Sequence, residues 1–346
     1  MKPTQKELTN WAITQIQEKY KNDIALLIGI SGHALKNDCH GECFDYFVPA
    51  NDNGNKLAQT FIIDGVGHDL YPRSWKRIEN MAEFNDDFTK GLADAIILYS
   101  RNEDDKKRFA EFQEKLILNL KDNNFMFKKA LLKLDTAMEI YRTVMFEDSF
   151  YKVKMGSGLI SHYLSIAVAC MNGTYFKQTL ELETSELSQM KEIPDNFITY
   201  FEDIIIAKSI EDLKKLCYEI ISTTRKFIEA HRPPKTEKLK TPVYKDLAAW
   251  YEELSLVWRR LYYYCTASDY RKAFNEALSL QYELNIIKEE FGLMEMDLLG
   301  SFEPENLILL KQRAQELEMY IISEIESHGV SINKYDTLEQ FLVKNS

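Results

Sequence analysis

Segments with strand character crowd into the first hundred or so residues of this 346-residue chain. From Asp104 onward, apolar residues recur almost without a break at three- and four-residue spacing. This order excludes a fold that alternates strands and helices around one large parallel sheet. It predicts an α+β protein, with a small mixed sheet first and an all-helical C-terminal region after it. "IALLIGI" (24–30) is a continuous apolar run, as a strand buried on both faces requires. "CFDYFVP" (43–49) reads as a second strand stopped by Pro49, and "NDNGN" (51–55) as a turn. "FIIDGVGHDLYP" (61–72) has the pattern strand, Gly-rich turn, strand, with Pro72 as the stop. Ser74 opens a helix over 74–84, and "AIILYS" (95–100) is the last candidate strand.

Helical periodicity then runs through 104–123, 127–146, 157–173, 209–231, 243–265, 269–291 and 305–329. The acidic start of the first of these suits the positive end of a helix dipole. "HRPPKTEKLKTP" (231–242), with its prolines and lysines, interrupts the helices and reads as a linker. The predicted organisation is a sheet domain over 1–125, a helical bundle over 126–235 and a second helical subdomain over 240–346.

Charge and segment lengths narrow the function classes. The chain has 54 acidic and 43 basic residues, a net charge of −11, which repels phosphate backbones and argues against broad nucleic-acid binding. It leaves room for a nucleotide that arrives with a divalent metal. No apolar run is long enough to span a bilayer, and the amphipathic start lacks the apolar core of a signal peptide, so no membrane partner is expected. Five cysteines without a disulfide-framework spacing predict reduced thiols and a cytoplasmic location.

The chemistry concentrates in 29–49, "GISGHALKNDCHGECFDYFVP". A strand runs into a small-residue turn, then a polar segment, then a second strand that carries Asp45. "ISGHA" (30–34) resembles the Gly-Ser-x-Ala turn of the nucleotidyltransferase superfamily with its first two residues exchanged. "CFDYFV" (43–48) resembles that superfamily's Asp-hydrophobic-Asp strand, with Cys43 at the first carboxylate position and Asp45 at the second. "GHDLYPRSW" (67–75) resembles the later strand that supplies a third carboxylate, here Asp69. The motif likeness covers about residues 24 to 75. Sheet first and helices after is also similar in order to aminoglycoside nucleotidyltransferases.

The resemblance implies transfer of a nucleoside monophosphate from an NTP, with ATP the expected nucleotide, to a small-molecule hydroxyl. It implies Mg²⁺ or Mn²⁺ in a two-metal arrangement, since hard cations favour carboxylate oxygen. Asp45 and Asp69 would be the catalytic carboxylates, and Ser31, Gly32 and His33 would seat the phosphates. Asp45, Asp69 and Glu42 would be the metal ligands. Cys43 is the departure, because a thiol is a poor Mg²⁺ ligand. On a regular strand Cys43, Asp45 and Phe47 share one face and Glu42 the other, so Glu42 replaces the lost carboxylate only where the strand entrance bends or bulges. The alternative is a catalytically degenerate nucleotide-binding protein or a helical interaction protein, and a homodimer stays open.

Other constellations have plainer readings. His33, Cys39, His40 and Cys43 match no zinc-site spacing and read as a polar loop. His68 either orients phosphate or fills the strand edge. Arg225 and His231 resemble the Arg-x-His pair of HEPN ribonucleases, a spacing common by chance.

Overall fold

The computed structural model describes residues 5–30, 44–63, 65–177, 183–234 and 242–345. Contacts divide the chain into two units, 1–235 and 236–346. The first unit opens with α1 (Gln5–Lys19), β1 (Ile24–Ile30) and β2 (Phe44–Pro49). A 3₁₀ turn over Asp52–Leu57 leads to the hairpin β3 (Gln59–Ile63) and β4 (Val66–Pro72). Then come α2 (Trp75–Ala82), α3 (Lys90–Ala93) and β5 (Ala95–Ser100). The strands form a five-stranded sheet in the order β3-β4-β2-β1-β5. Only β2 and β4 pair parallel; the other pairs are antiparallel.

β1 lies between β2 and β5, and all of its residues are buried. Its Leu26, Ile28 and Ile30 face a large core shared with the following helices, whereas Ile24 and Leu27 face a smaller core. That smaller core is closed by Ala12 and Ile16 of α1 together with Phe47, Leu57 and Leu70. The uninterrupted apolar run is therefore the signature of a strand covered on both sides. The 51–55 segment is helical because Asn51 Oδ1 accepts from the N–H groups of Asn53 and Gly54 at 3.0 and 3.2 Å. The Asn51 and Asn53 amides in turn donate to the Asp23 carboxylate, both at 2.9 Å. Gly54 is required there, since a Cβ would lie 2.3 Å from the Asp23 carbonyl oxygen. Ser74 caps α2 as its sequence predicts, accepting from the Arg77 N–H at 3.3 Å.

Among the described residues six helices complete the first unit: α4 (Glu103–Lys121), α5 (Asn123–Met145), α6 (Phe150–Met171), α7 (Glu183–Leu187), α8 (Phe197–Ile206) and α9 (Ile210–Ala230). One core runs from the sheet through these helices, from Tyr46 and Val48 to Ile160, Leu164, Ile204 and Ile220. α5 and α6 approach closely because Gly156 admits Val144, whose Cγ2 would lie 2.4 Å from a Cβ at that position. α8 is a short, apolar helix of ten residues. Its C-terminal carbonyls are held by Lys154 of α6, whose Nζ donates to the oxygens of Ile204, Ile205 and Ala207 at 2.7, 2.8 and 2.9 Å.

The second unit packs α10 (Tyr244–Thr266), α11 (Tyr270–Phe291) and α12 (Ile308–Ser327) around a core of its own, followed by α13 (Leu338–Asn345). A buried carboxylate, Glu318, sits within it. It accepts from the hydroxyls of Tyr251 at 2.8 Å and Tyr262 at 2.6 Å, and from the Arg259 guanidinium. Burial, then the hydrogen bond to Glu318, pushes the Tyr251 phenol up to about 12. The α+β architecture is thus as expected, with the sheet first and helices after. Cys170, Cys217 and Cys265 are buried free thiols, and among the described residues no helix is long and apolar enough to cross a membrane.

Candidate active site

Asp45 enters the sheet at an irregularity. Opposite β1, Tyr46 pairs with Ile28 and Phe44 with Gly29, so Asp45 is one residue too many for its partner strand. This is a β-bulge, which bends a strand and re-aims side chains. Its effect on parity is direct: Phe44 packs against the same small core as Phe47, which strict alternation forbids. The half-buried Asp45 carboxylate meets the neighbouring strand, where the Tyr71 hydroxyl donates to its Oδ2 at 3.2 Å.

Asp69 stands two residues before Tyr71 on β4, hence on the same face of that strand. It is exposed and sits opposite Thr60 of β3, whose hydroxyl donates to its Oδ1 at 2.8 Å. His68, on the other face, stacks on Phe61 with ring centroids 5.5 Å apart, and Phe61 meets Trp11 edge-on. The imidazole therefore fills the strand edge. Ser31, Gly32, His33, Glu42 and Cys43 lie outside the described residues.

The sequence reading missed the group behind Asp45. Arg73 is buried, with its backbone N–H bonded to the Phe47 carbonyl at 2.8 Å. Its Nη2 donates to the Tyr71 hydroxyl oxygen at 2.6 Å. The guanidinium lies 4.4 Å from the centroid of Phe88, 5.0 Å from that of Tyr71 and 5.1 Å from that of Tyr46. Among the described residues its Nε and Nη1 have no hydrogen-bond partner. Tyr46 is fixed in this box by donating to the Gly91 carbonyl at 2.7 Å, and Gly91 must lack a side chain because a Cβ would meet Phe88 at 2.3 Å. Burial raises the Tyr71 phenol above its ordinary value, and the Asp45 charge raises it further. A signal for these partners was present. The parity that selects Asp69 continues through Tyr71 to Arg73, but Pro72 closes the strand in a sequence reading.

The donor chemistry bears on the implied metal. Asp45 and Asp69 are hard oxygen donors on adjacent strands, a type that suits Mg²⁺ or Mn²⁺. Among the described residues no three His, Cys, Asp or Glu side chains gather into a metal-sized cluster. In the HEPN-like pair, His231 closes α9 through the Phe227 carbonyl at 2.8 Å and the Glu192 carboxylate at 2.6 Å, while Arg225 is exposed.

No protein-family model and no curated protein matches the chain. Among solved structures it is similar to a nucleotidyltransferase-like protein from Exiguobacterium sibiricum. The identity is 9%, the TM-score is 0.37, and the match covers 64% of this chain and 75% of that one. A likeness that loose does not define the fold, which rests on the strand order and cores described above.

Proposed function

We propose that the first unit binds an NTP with a divalent cation at the entry of β2 and transfers its nucleoside monophosphate to a small-molecule hydroxyl, with pyrophosphate as the leaving group. The observation that carries this reading is the bulged entry of β2. It delivers the carboxylate of Asp45 to the strand neighbour that also bears Asp69. Asp45 would hold the cation, with Glu42 as the further oxygen donor. The bound cation would supply charge neutralisation at the phosphate under attack. Asp69 would take the proton of the attacking hydroxyl, exchanging its bond to Thr60 for one to the acceptor. Ser31, Gly32 and His33 would seat the phosphates. The acidic surface favours a small acceptor over a polynucleotide.

Calorimetry of ATP with Mg²⁺ on the full chain tests the reading. Affinity that depends on metal, is weakened by Asp45→Asn and is blocked by Ser31→Trp supports it, and an acceptor screen with labelled ATP then reads transfer. ATP affinity that ignores both the metal and Asp45→Asn removes it.

A second reading, a helical interaction protein, is favoured by one surface. Tyr270, Phe274, Leu278, Tyr282 and Ile286 recur at every fourth position of α11 and are all exposed, Tyr282 by 67%. The stripe has Arg271 at one end and Glu289 and Glu290 at the other. A two-fold pairing with a second copy would set the basic end of one helix against the acidic end of its mate. A monomeric sedimentation coefficient at high concentration, unchanged by Leu278→Glu, rules this pairing out.

A further inference from the structure

We propose that Tyr71, held by the buried Arg73 guanidinium, is a positioning residue that sets the carboxylate of Asp45. The inference rests on the nucleotide-site reading above and adds a pair of residues to which that reading gives no part.

The direction of each hydrogen bond is forced. A guanidinium has donors only, so at 2.6 Å the Tyr71 oxygen accepts from Arg73. The phenol has one hydrogen, and with its oxygen facing Arg73 that hydrogen points to Asp45 Oδ2 at 3.2 Å. Asp45 is the acceptor at the end of the chain. Tyr71 cannot turn its hydroxyl around without opposing donor to donor.

The anchor of this chain is itself fixed. Arg73 is tied at its backbone to Phe47 of β2 and at its planar face to Phe88, with the rings of Tyr46 and Tyr71 completing the box. Burying a guanidinium in such a place is costly, and an apolar side chain of similar size would pack there more cheaply. What an apolar side chain cannot do is donate to the Tyr71 oxygen. Lysine is no substitute either, because it lacks the flat fork that stacks and donates at once. Both β2 and β4 therefore take part in aiming one carboxylate, and the bulge that brings Asp45 to β4 gives that carboxylate its contact with the relay.

The test is a double-mutant cycle on the full chain, with Mn²⁺ and ATP as the probes and calorimetry as the readout. Tyr71→Phe deletes one hydroxyl and keeps the ring against Arg73; near-ultraviolet dichroism checks its fold. It should weaken Mn²⁺-dependent ATP affinity about tenfold, the scale of losing a partner that orients a ligand carboxylate. ATP affinity measured without metal should not move. In a chain that already carries Asp45→Asn, the same substitution should change affinity less than about twofold, because the orienting effect has lost its object. Arg73→Lys supplies an independent variant, with a loss in the same direction. A merely structural role would lower metal-dependent and metal-free affinity together, or act equally with and without Asp45→Asn, and either result overturns the relay. Unchanged Mn²⁺-dependent affinity in Tyr71→Phe, beside a wild-type protein that binds through Asp45, overturns it as well. A wild-type protein with no metal-dependent ATP affinity fails differently: it removes the nucleotide site first, and the positioning role with it.

Discussion

Replacing Lys154 with Met should loosen the end of α8 by a predictable amount. The aliphatic stem stays and the ammonium goes. An α-helix leaves its last carbonyls without intrahelical partners, and here one ammonium serves three of them, at 2.7, 2.8 and 2.9 Å. Hydrogen bonds from a charged donor contribute about 1.5–3 kcal/mol each when the acceptor is otherwise stranded. The three acceptors are not equally stranded. Ile204 is buried, whereas Ile205 is 59% exposed, so water can serve its carbonyl once the ammonium is gone. One well-buried bond and a cation at the negative end of a helix dipole give an expected loss of about 2–3 kcal/mol. For a unit of this size that is a fall in melting temperature of roughly 4–10 °C. Urea unfolding followed by circular dichroism reads the loss, and hydrogen exchange of the α8 amides localises it. Lys154→Arg, which keeps a cation, should lose less. A loss below about 0.5 kcal/mol for Lys154→Met, the range of surface substitutions that touch nothing important, would falsify the capping argument.

Two more outcomes follow from charged contacts. His231 is raised above its ordinary 6.5, first by the Phe227 carbonyl and then by Glu192, while Glu192 is lowered below its ordinary 4.5 chiefly by His231. The imidazole's contribution is fully present below its unfolded value and fades as pH rises through the folded one. The carboxylate's is present above its unfolded value and fades on acidification. The contact should therefore contribute most between about pH 4.5 and 6.5. An NMR titration should place the His231 midpoint above 6.5 and bring it down on Glu192→Gln; a midpoint at or below 6.5 contradicts this. In the second unit, Glu318→Leu leaves two half-buried phenols without their acceptor, whereas Arg259 is exposed to water, and should cost about 1–3 kcal/mol in urea unfolding, with Glu318→Gln costing less because one acceptor oxygen remains. Equal stability of Glu318→Leu and wild type would show that the network adds nothing.

Most of the sheet was legible because its strands are short, apolar and punctuated. β1 matches its sequence limits to the residue, and β2, β4 and β5 end where Pro49, Pro72 and Ser100 end them. Helices went astray where periodicity is blurred. The predicted start at Ser157 for α6 is late by two turns, because Tyr151 and Met155 point outward and Gly156 interrupts the apolar pattern. α8 was passed over because "FITYFEDIII" is short and ends in Ile205 and Ile206, which are exposed. At the site, Asp45 and Asp69 were visible as carboxylates in unexpected places. Tyr71 and Arg73 were not, since an aromatic residue and a cation beside a proline look like a strand end and a loop. The bulge at Asp45 was beyond any parity argument, because one inserted residue changes which side chains share a face without leaving a mark in composition.

The sheet's strand order also sets a schedule. β1 is an interior strand, yet one of its two neighbours is the last strand to be made: Leu26 waits for Ser100. At a synthesis rate of about 5–20 residues per second, that wait is roughly 4–15 seconds, during which a wholly apolar strand has an open edge. The second unit is helical and leaves no strand edge open while it is made. Nascent chains stalled between β4 and β5 are thus the species that would pair with one another, and slow translation through 73–94 would lengthen the interval in which they do.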